Sequence, residues 1–303
     1  MKIFQEFQEE CTKSGFYLDL GIHLKALIAH ATGQSRFLTV GSLTPSALQE
    51  AWKRCKVATE FAMNFLKSNV GIDSPALLAS PFILVSLGYY GEKRGFSLAT
   101  DEARKLRYWV LTANAKGRYS RGSTETLLDQ DLATIRDGLD VDALIDRLRL
   151  QMGRLDITPE ELEGKNQRSS LFKTMFLAFR DAGARDWQSN LAIALDHSGA
   201  QHRLQFHHVF PKALLRSAHV AQRAIDDVAN LAFIGGRTNR KLSDSPPSKY
   251  LLALVDKTGE ATFRAQEIPL ERDLLDTNRY ADFLAQRRVL IANRLNVFLE
   301  TPE

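Results

Sequence analysis

Residues 204–215 read LQFHHVFPKALL and set His207 beside His208 in a chain with only seven histidines. Each buried imidazole needs hydrogen-bond partners, so two in succession after an apolar run are an expensive choice for a core. A neutral imidazole, with a pKa of about 6.5 in water, suits a metal ligand or a proton acceptor. Two asparagines follow at a fixed interval: Asn230 precedes the apolar run LAFI, and Asn239 comes nine residues later, beyond Gly235 and Gly236. Residues 202–249 also hold eight Lys and Arg against three acids, a net +5 in a chain whose total is +4. Cations gathered around paired imidazoles favour a phosphate-rich partner.

The elements that must position these residues begin near residue 185, where the texture of the chain changes. Before it, nearly everything reads as helix. TPSALQEAWKRCKVATEFAMNFLKSNVG has a cap at Thr44, apolar residues at helical spacing and Gly71 as a stop. TDEARKLRYWVLTANAKG, GSTETLLDQDLATIRDG, DVDALIDRLRLQM and SSLFKTMFLAFRDAG are further amphipathic helices. After Trp187, NLAIAL (190–195) and RLQFHH (203–208) are expected to be short strands around the turn HSGAQ. FPKALLRS and QRAIDDVA supply a helical turn or two each, and NLAFIGG (230–236) is a further strand. RTNRKL then starts a helix with Thr238 as a possible cap, SDSPPSKYLLALV begins another, and TNRYADFLAQRRVLIANRLNVFL closes the chain. The expectation is an α+β protein: a helical domain over 1–184, then a domain over 185–303 that carries the histidines and is wrapped by C-terminal helices.

The order strand, His-His, irregular loop, Asn, strand, double Gly, helix with Asn resembles the HNH, or ββα-metal, endonuclease module in a His-Asn-Asn version. FHHVFPKALL, VANLAFIGGRTNRKLS and SKYL together are also similar to the C-terminal nuclease of GmrSD-type restriction proteins, and residues 106–132 to their helical middle region. The resemblance implies hydrolysis of DNA phosphodiesters in restriction or anti-phage defence. It implies His208 as the general base, Asn230 as the residue orienting it, and His207 and Asn239 as ligands of Mg²⁺, with Mn²⁺, Ni²⁺ or Zn²⁺ as substitutes. Lys212, Arg237, Arg240, Lys241 and Lys249 are the candidate phosphate contacts. The family's N-terminal ParB-like, nucleotide-hydrolysing domain has no counterpart here: neither its Asp-Gly-Gln-Gln-Arg segment nor a Gly-x-x-x-x-Gly-Lys loop occurs. The chain is therefore expected to work with that domain as part of a longer protein or as a separate subunit. An RNase, or a nucleic-acid-binding scaffold that does not cut, is the alternative.

The remaining signals are structural. Asp196–His197 imitates a catalytic pair but sits beside the turn SGAQ, and GRYSRGS (117–123) reads as an interhelical turn. Cys11 and Cys55 form no Cys-x-x-Cys, so neither a zinc ribbon nor a disulfide framework is indicated, and a reducing cytoplasm is the simplest setting. No stretch approaches the roughly 18–20 apolar residues of a membrane span.

Overall fold

A computed structural model describes residues 2–195, 204–242 and 244–300. Asp196–His197 and the turn after it lie outside the described residues. The chain divides into two compact units, Met1–Leu155 with Leu299–Glu303, and Asp156–Phe298. The division falls well before residue 184, where the change of texture set it. The reason is aromatic packing: Phe172, Phe176 and Phe179 all contact Phe233, so this helix belongs with the strands.

The first unit is helical: α1 (Lys2–Lys13), α2 (Leu20–Thr32), α3 (Pro45–Phe65), α4 (Ile83–Lys93), α5 (Thr100–Lys116), α6 (Thr124–Arg136) and α7 (Val141–Met152). Side-chain caps at Asp19, Thr44, Ser123 and Asp140 accept the first free N–H groups of α2, α3, α6 and α7. Beyond α3 the backbone widens into a π-turn over Leu66–Val70 before Gly71 stops it in the left-handed region, at φ 74°. Gly88 lets α4 lie against α3, since a Cβ there would stand 2.8 Å from the Ala58 carbonyl oxygen. Arg118 of GRYSRGS turns inward, giving two hydrogen bonds of 2.9 and 2.6 Å to Asp131, whose carboxylate also takes the Tyr119 hydroxyl at 2.6 Å. Cys11 and Cys55 are free and fully buried, and burial pushes their thiols up to about 11 and about 12, so both behave as small apolar residues.

The second unit comprises α8 (Pro159–Leu162), α9 (Ser170–Asp181), β1 (Leu204–His208), α10 (Lys212–Ser217), α11 (Gln222–Ile225), β2 (Leu231–Gly235), α12 (Gly236–Leu242), α13 (Pro247–Thr258), α14 (Ala261–Arg264) and α15 (Tyr280–Leu299). β1 and β2 pair antiparallel, with His207 opposite Ala232 and His208 opposite Leu231, and α12 follows β2 without a loop. The segment 190–195 is not the strand its alternation suggested; one isolated bridge, Arg185 to Ala192, is all that forms. Asp186 explains the failure. Its Oδ1 accepts Gln188 N–H at 3.1 Å, Ser189 N–H at 2.6 Å and the Ser189 hydroxyl at 2.8 Å, folding the chain back before Asn190 at φ 58°. Such local side-chain bonds compete directly with a ladder.

Among the described residues no strand lies beside the outer edge of β2, yet its polar groups are met by side chains. Arg287 Nη2 donates to Leu231 O at 2.8 Å; Gln266 exchanges two 2.8 Å bonds with Phe233 N–H and C=O; Asp186 Oδ2 accepts Gly235 N–H at 2.7 Å. The alternation 231, 233, 235 is that of a strand, whose every second residue points its amide to the same side. Among the described residues no helix is long and apolar enough to cross a membrane.

Candidate functional site

His207 is 4% exposed. Its Nδ1 lies 2.8 Å from Asn239 Oδ1, its Nε2 lies 3.1 Å from the Tyr250 hydroxyl, and Trp187 packs edge-on against the ring at 5.8 Å between centroids. The Tyr250 hydroxyl has one proton, which it gives to Val209 O at 2.9 Å, so it accepts from His207 Nε2–H. Nδ1 then carries a lone pair. Asn239 Nδ2 is committed to Gln205 Oε1 at 2.8 Å, so the Asn239 atom facing that lone pair is also an acceptor. Turning the Asn239 amide over would move the clash to Gln205 unless that amide turned with it. Burial pushes the His207 pKa down to about 4, against the opposing pull of Asn239, so a second ring proton does not fill the gap at neutral pH. In this arrangement two acceptors face each other at 2.8 Å.

His208, the next residue and the last of β1, has Asp226 and Lys212 as its charged neighbours. Burial, then the nearby Lys212 charge, push its pKa down to about 4, leaving the ring neutral. Nε2 is buried and makes no hydrogen bond; Asp226 Oδ1 stands 3.4 Å away, out of line. Lys212 Nζ holds that same oxygen at 2.8 Å, and Gln222 Nε2 holds Oδ2 at 2.6 Å.

Asn230 departs from the role expected of it, since it does not bond to His208. Its Oδ1 accepts Phe210 N–H at 2.8 Å, and its Nδ2 donates to Phe210 O at 3.1 Å and Ile225 O at 3.0 Å. With Val209 N–H on the Asn230 carbonyl at 2.8 Å, the asparagine fixes the backbone just after His208 and positions the ring through the chain. Asn230 is itself held from α15. Arg287, fully buried, donates to Ala229 O at 2.7 Å and Leu231 O at 2.8 Å on either side of it, and to Glu267 O and Gln266 O at 3.0 Å. Arg288 bonds Asp227 Oδ2 at 2.6 Å.

Of the five expected phosphate contacts, four are open. Arg237, Arg240, Lys241 and Lys249 are exposed, and among the described residues none forms an ion pair. Arg237, Arg240 and Lys241 share one face of α12 by their i, i+3, i+4 spacing, while Thr238 and Leu242 are buried. Lys212 is instead spent on Asp226. Among the described residues no group of three His, Cys, Asp or Glu is placed to hold a metal, so a cation between His207 and Asn239 would rest on two neutral donors.

Gln205, Tyr250, Asp226 and Arg287 carry no motif that marks them in the sequence. Asp186 left a trace in DWQSN, where an Asp with Ser three residues on is a local-turn signal. Burial acts to raise its pKa, but bonds from Ser189, Thr238 and Gly235 outweigh it and hold the group below the usual 3.8. A carboxylate depressed on folding contributes stability that is present above its unfolded pKa and lost as pH falls through the folded value. Acid unfolding of the second unit, followed by circular dichroism, is therefore expected to be steeper below pH ~4 in the wild type than in Asp186→Asn.

No protein-family model matches the chain. It is 24% identical over 158 residues to an uncharacterized protein of Methanocaldococcus jannaschii, a match that takes in 50% of this chain and 25% of that protein. The chain thus spans about a quarter of the length of the curated relative it matches.

Proposed function

We propose that the chain is a metal-dependent endonuclease of the HNH type that hydrolyses DNA phosphodiester bonds. The observation that carries this reading is the meeting of His207 and Asn239, 32 residues apart, in one 2.8 Å contact where a strand–strand–helix unit closes. A divalent cation bound by those two side chains would offset charge on the phosphorane and the leaving oxygen. His208 takes the proton of the attacking water, and Asn230 holds the backbone that presents the ring. Arg237, Arg240, Lys241 and Lys249 grip the phosphate backbone, so affinity falls steeply as salt rises. Two neutral ligands hold Mg²⁺ weakly, and an imidazole donor accepts Mn²⁺, Ni²⁺ or Zn²⁺ as substitutes. The setting in restriction or anti-phage defence, with a ParB-like nucleotide-hydrolysing partner domain, rests on the family resemblance.

The test is plasmid DNA incubated with the chain and Mg²⁺ or Mn²⁺. Cleavage is expected with either metal, none in EDTA, and none with His207→Ala or Asn239→Ala at the same metal concentration. Cutting by metal-free protein in EDTA overturns the metal site. Cleavage of RNA but not DNA replaces the substrate, and binding without any cleavage makes the chain a scaffold.

A further inference from the structure

The His207–Asn239 pair brings no charge of its own to a cation, yet a buried negative charge lies one residue away from both partners. Asp186 is 4% exposed, and its carboxylate accepts five hydrogen bonds, all from neutral donors. Among the described residues no Lys, Arg or His pairs with it. Charges this deeply buried are ordinarily matched by a cation. Its two connections lead to the site. The next residue in the chain, Trp187, packs on the His207 ring. On the other side, Oδ1 takes the hydroxyl of Thr238 at 2.7 Å, the residue before Asn239, and Oδ2 takes Gly235 N–H at the junction of β2 and α12. Asp186 thus ties the first turn of α12 and the residue before it to a segment 52 residues away, and so sets the helix that carries Asn239.

We propose that Asp186 is the positioning residue of the His207–Asn239 cation site. The inference rests on the metal reading above. It ties both ligands to one side chain: Asp186 is bonded to the backbone and hydroxyl that orient one and is next in sequence to the ring that packs on the other. Outer residues that orient metal ligands are worth roughly 10–100-fold in metal affinity.

The experiment titrates the full chain with Mn²⁺, reading the free ion by its electron paramagnetic resonance signal, with melting temperature measured in parallel. Asp186→Asn, which keeps the shape and removes the charge, is expected to weaken Mn²⁺ binding by about 10–100-fold. Gln266→Leu breaks the same edge of β2 at Phe233 without touching a charge, and it is expected to change Mn²⁺ affinity less than about threefold at a similar loss of melting temperature. Equal Mn²⁺ losses in the two variants would reduce Asp186 to a purely structural group and overturn the proposal. Should Asp186→Asn fail to fold, Thr238→Val severs the link to α12 alone, and unchanged Mn²⁺ affinity in that variant would overturn it too. Wild-type chain that binds no Mn²⁺ brings down the metal reading and this inference with it. Wild-type binding with an unaltered Asp186→Asn brings down this inference alone.

Discussion

His208→Ala is expected to cut DNA ~10²–10⁴-fold more slowly than the wild type, with Mn²⁺ affinity, DNA affinity and melting temperature nearly unchanged. The asymmetry follows from where the ring stands. His208 Nε2 makes no hydrogen bond that the fold would miss. Its nearest charged neighbours, Lys212 and Asp226, are already satisfied by each other at 2.8 Å. Removing it therefore takes away a proton acceptor and little else. Single-turnover cleavage of a labelled duplex, with metal binding measured on the same preparation, checks the expectation. A variant that cuts at the wild-type rate would remove His208 from the reaction.

Arg287→Met is expected to be the most destabilising single change in the second unit. Burial pushes the Arg287 pKa down to about 9, still protonated at neutral pH, and the guanidinium is spread over four backbone carbonyls with no carboxylate among them. At about 1 kcal/mol for each lost bond, the cost is ~4 kcal/mol. That corresponds to a fall of roughly 10 °C in melting temperature for a unit of this size. Arg287→Lys should recover little, because a single ammonium cannot reach four acceptors held in the plane of a fork. Thermal unfolding of both variants decides it: a shift under about 2 °C for Arg287→Met would mean the carbonyls are satisfied some other way.

The helices of the first unit were legible because caps and apolar spacing are local. Thr44 and the stop at Gly71 fell where the pattern put them, and the turn at GRYSRGS proved to be a turn, with Arg118 drawn inward by Asp131. β1, β2 and α12 were legible for the same reason. The 190–195 segment misled because its alternation is genuine, while the fold-back at Asp186 depends on a side chain four residues before it. The pairing of His207 with Asn239 could be anticipated from a motif. The residues that make the pairing possible could not. Asp186, Gln266 and Arg287 reach β2 across 49, 33 and 56 residues, and no local pattern marks an acid, an amide or a guanidinium for such a task.

Those separations also bear on how the molecule is made. A two-residue hairpin turn can zip a sheet locally, but this sheet is complete only when three distant segments have arrived to occupy the free side of β2. Loop closure on that scale slows the search, so the second unit should fold later than the helical one, whose contacts are nearer in sequence. Until Gln266 arrives, Phe233 offers its N–H and C=O to any strand that passes, and until α15 arrives the Leu231 carbonyl stays open, which is the template for chain-to-chain pairing. During synthesis Gln266 and then Arg287 therefore close the free side of β2, and a chain interrupted before residue 266 would leave the ribosome with its sheet still able to recruit a stranger.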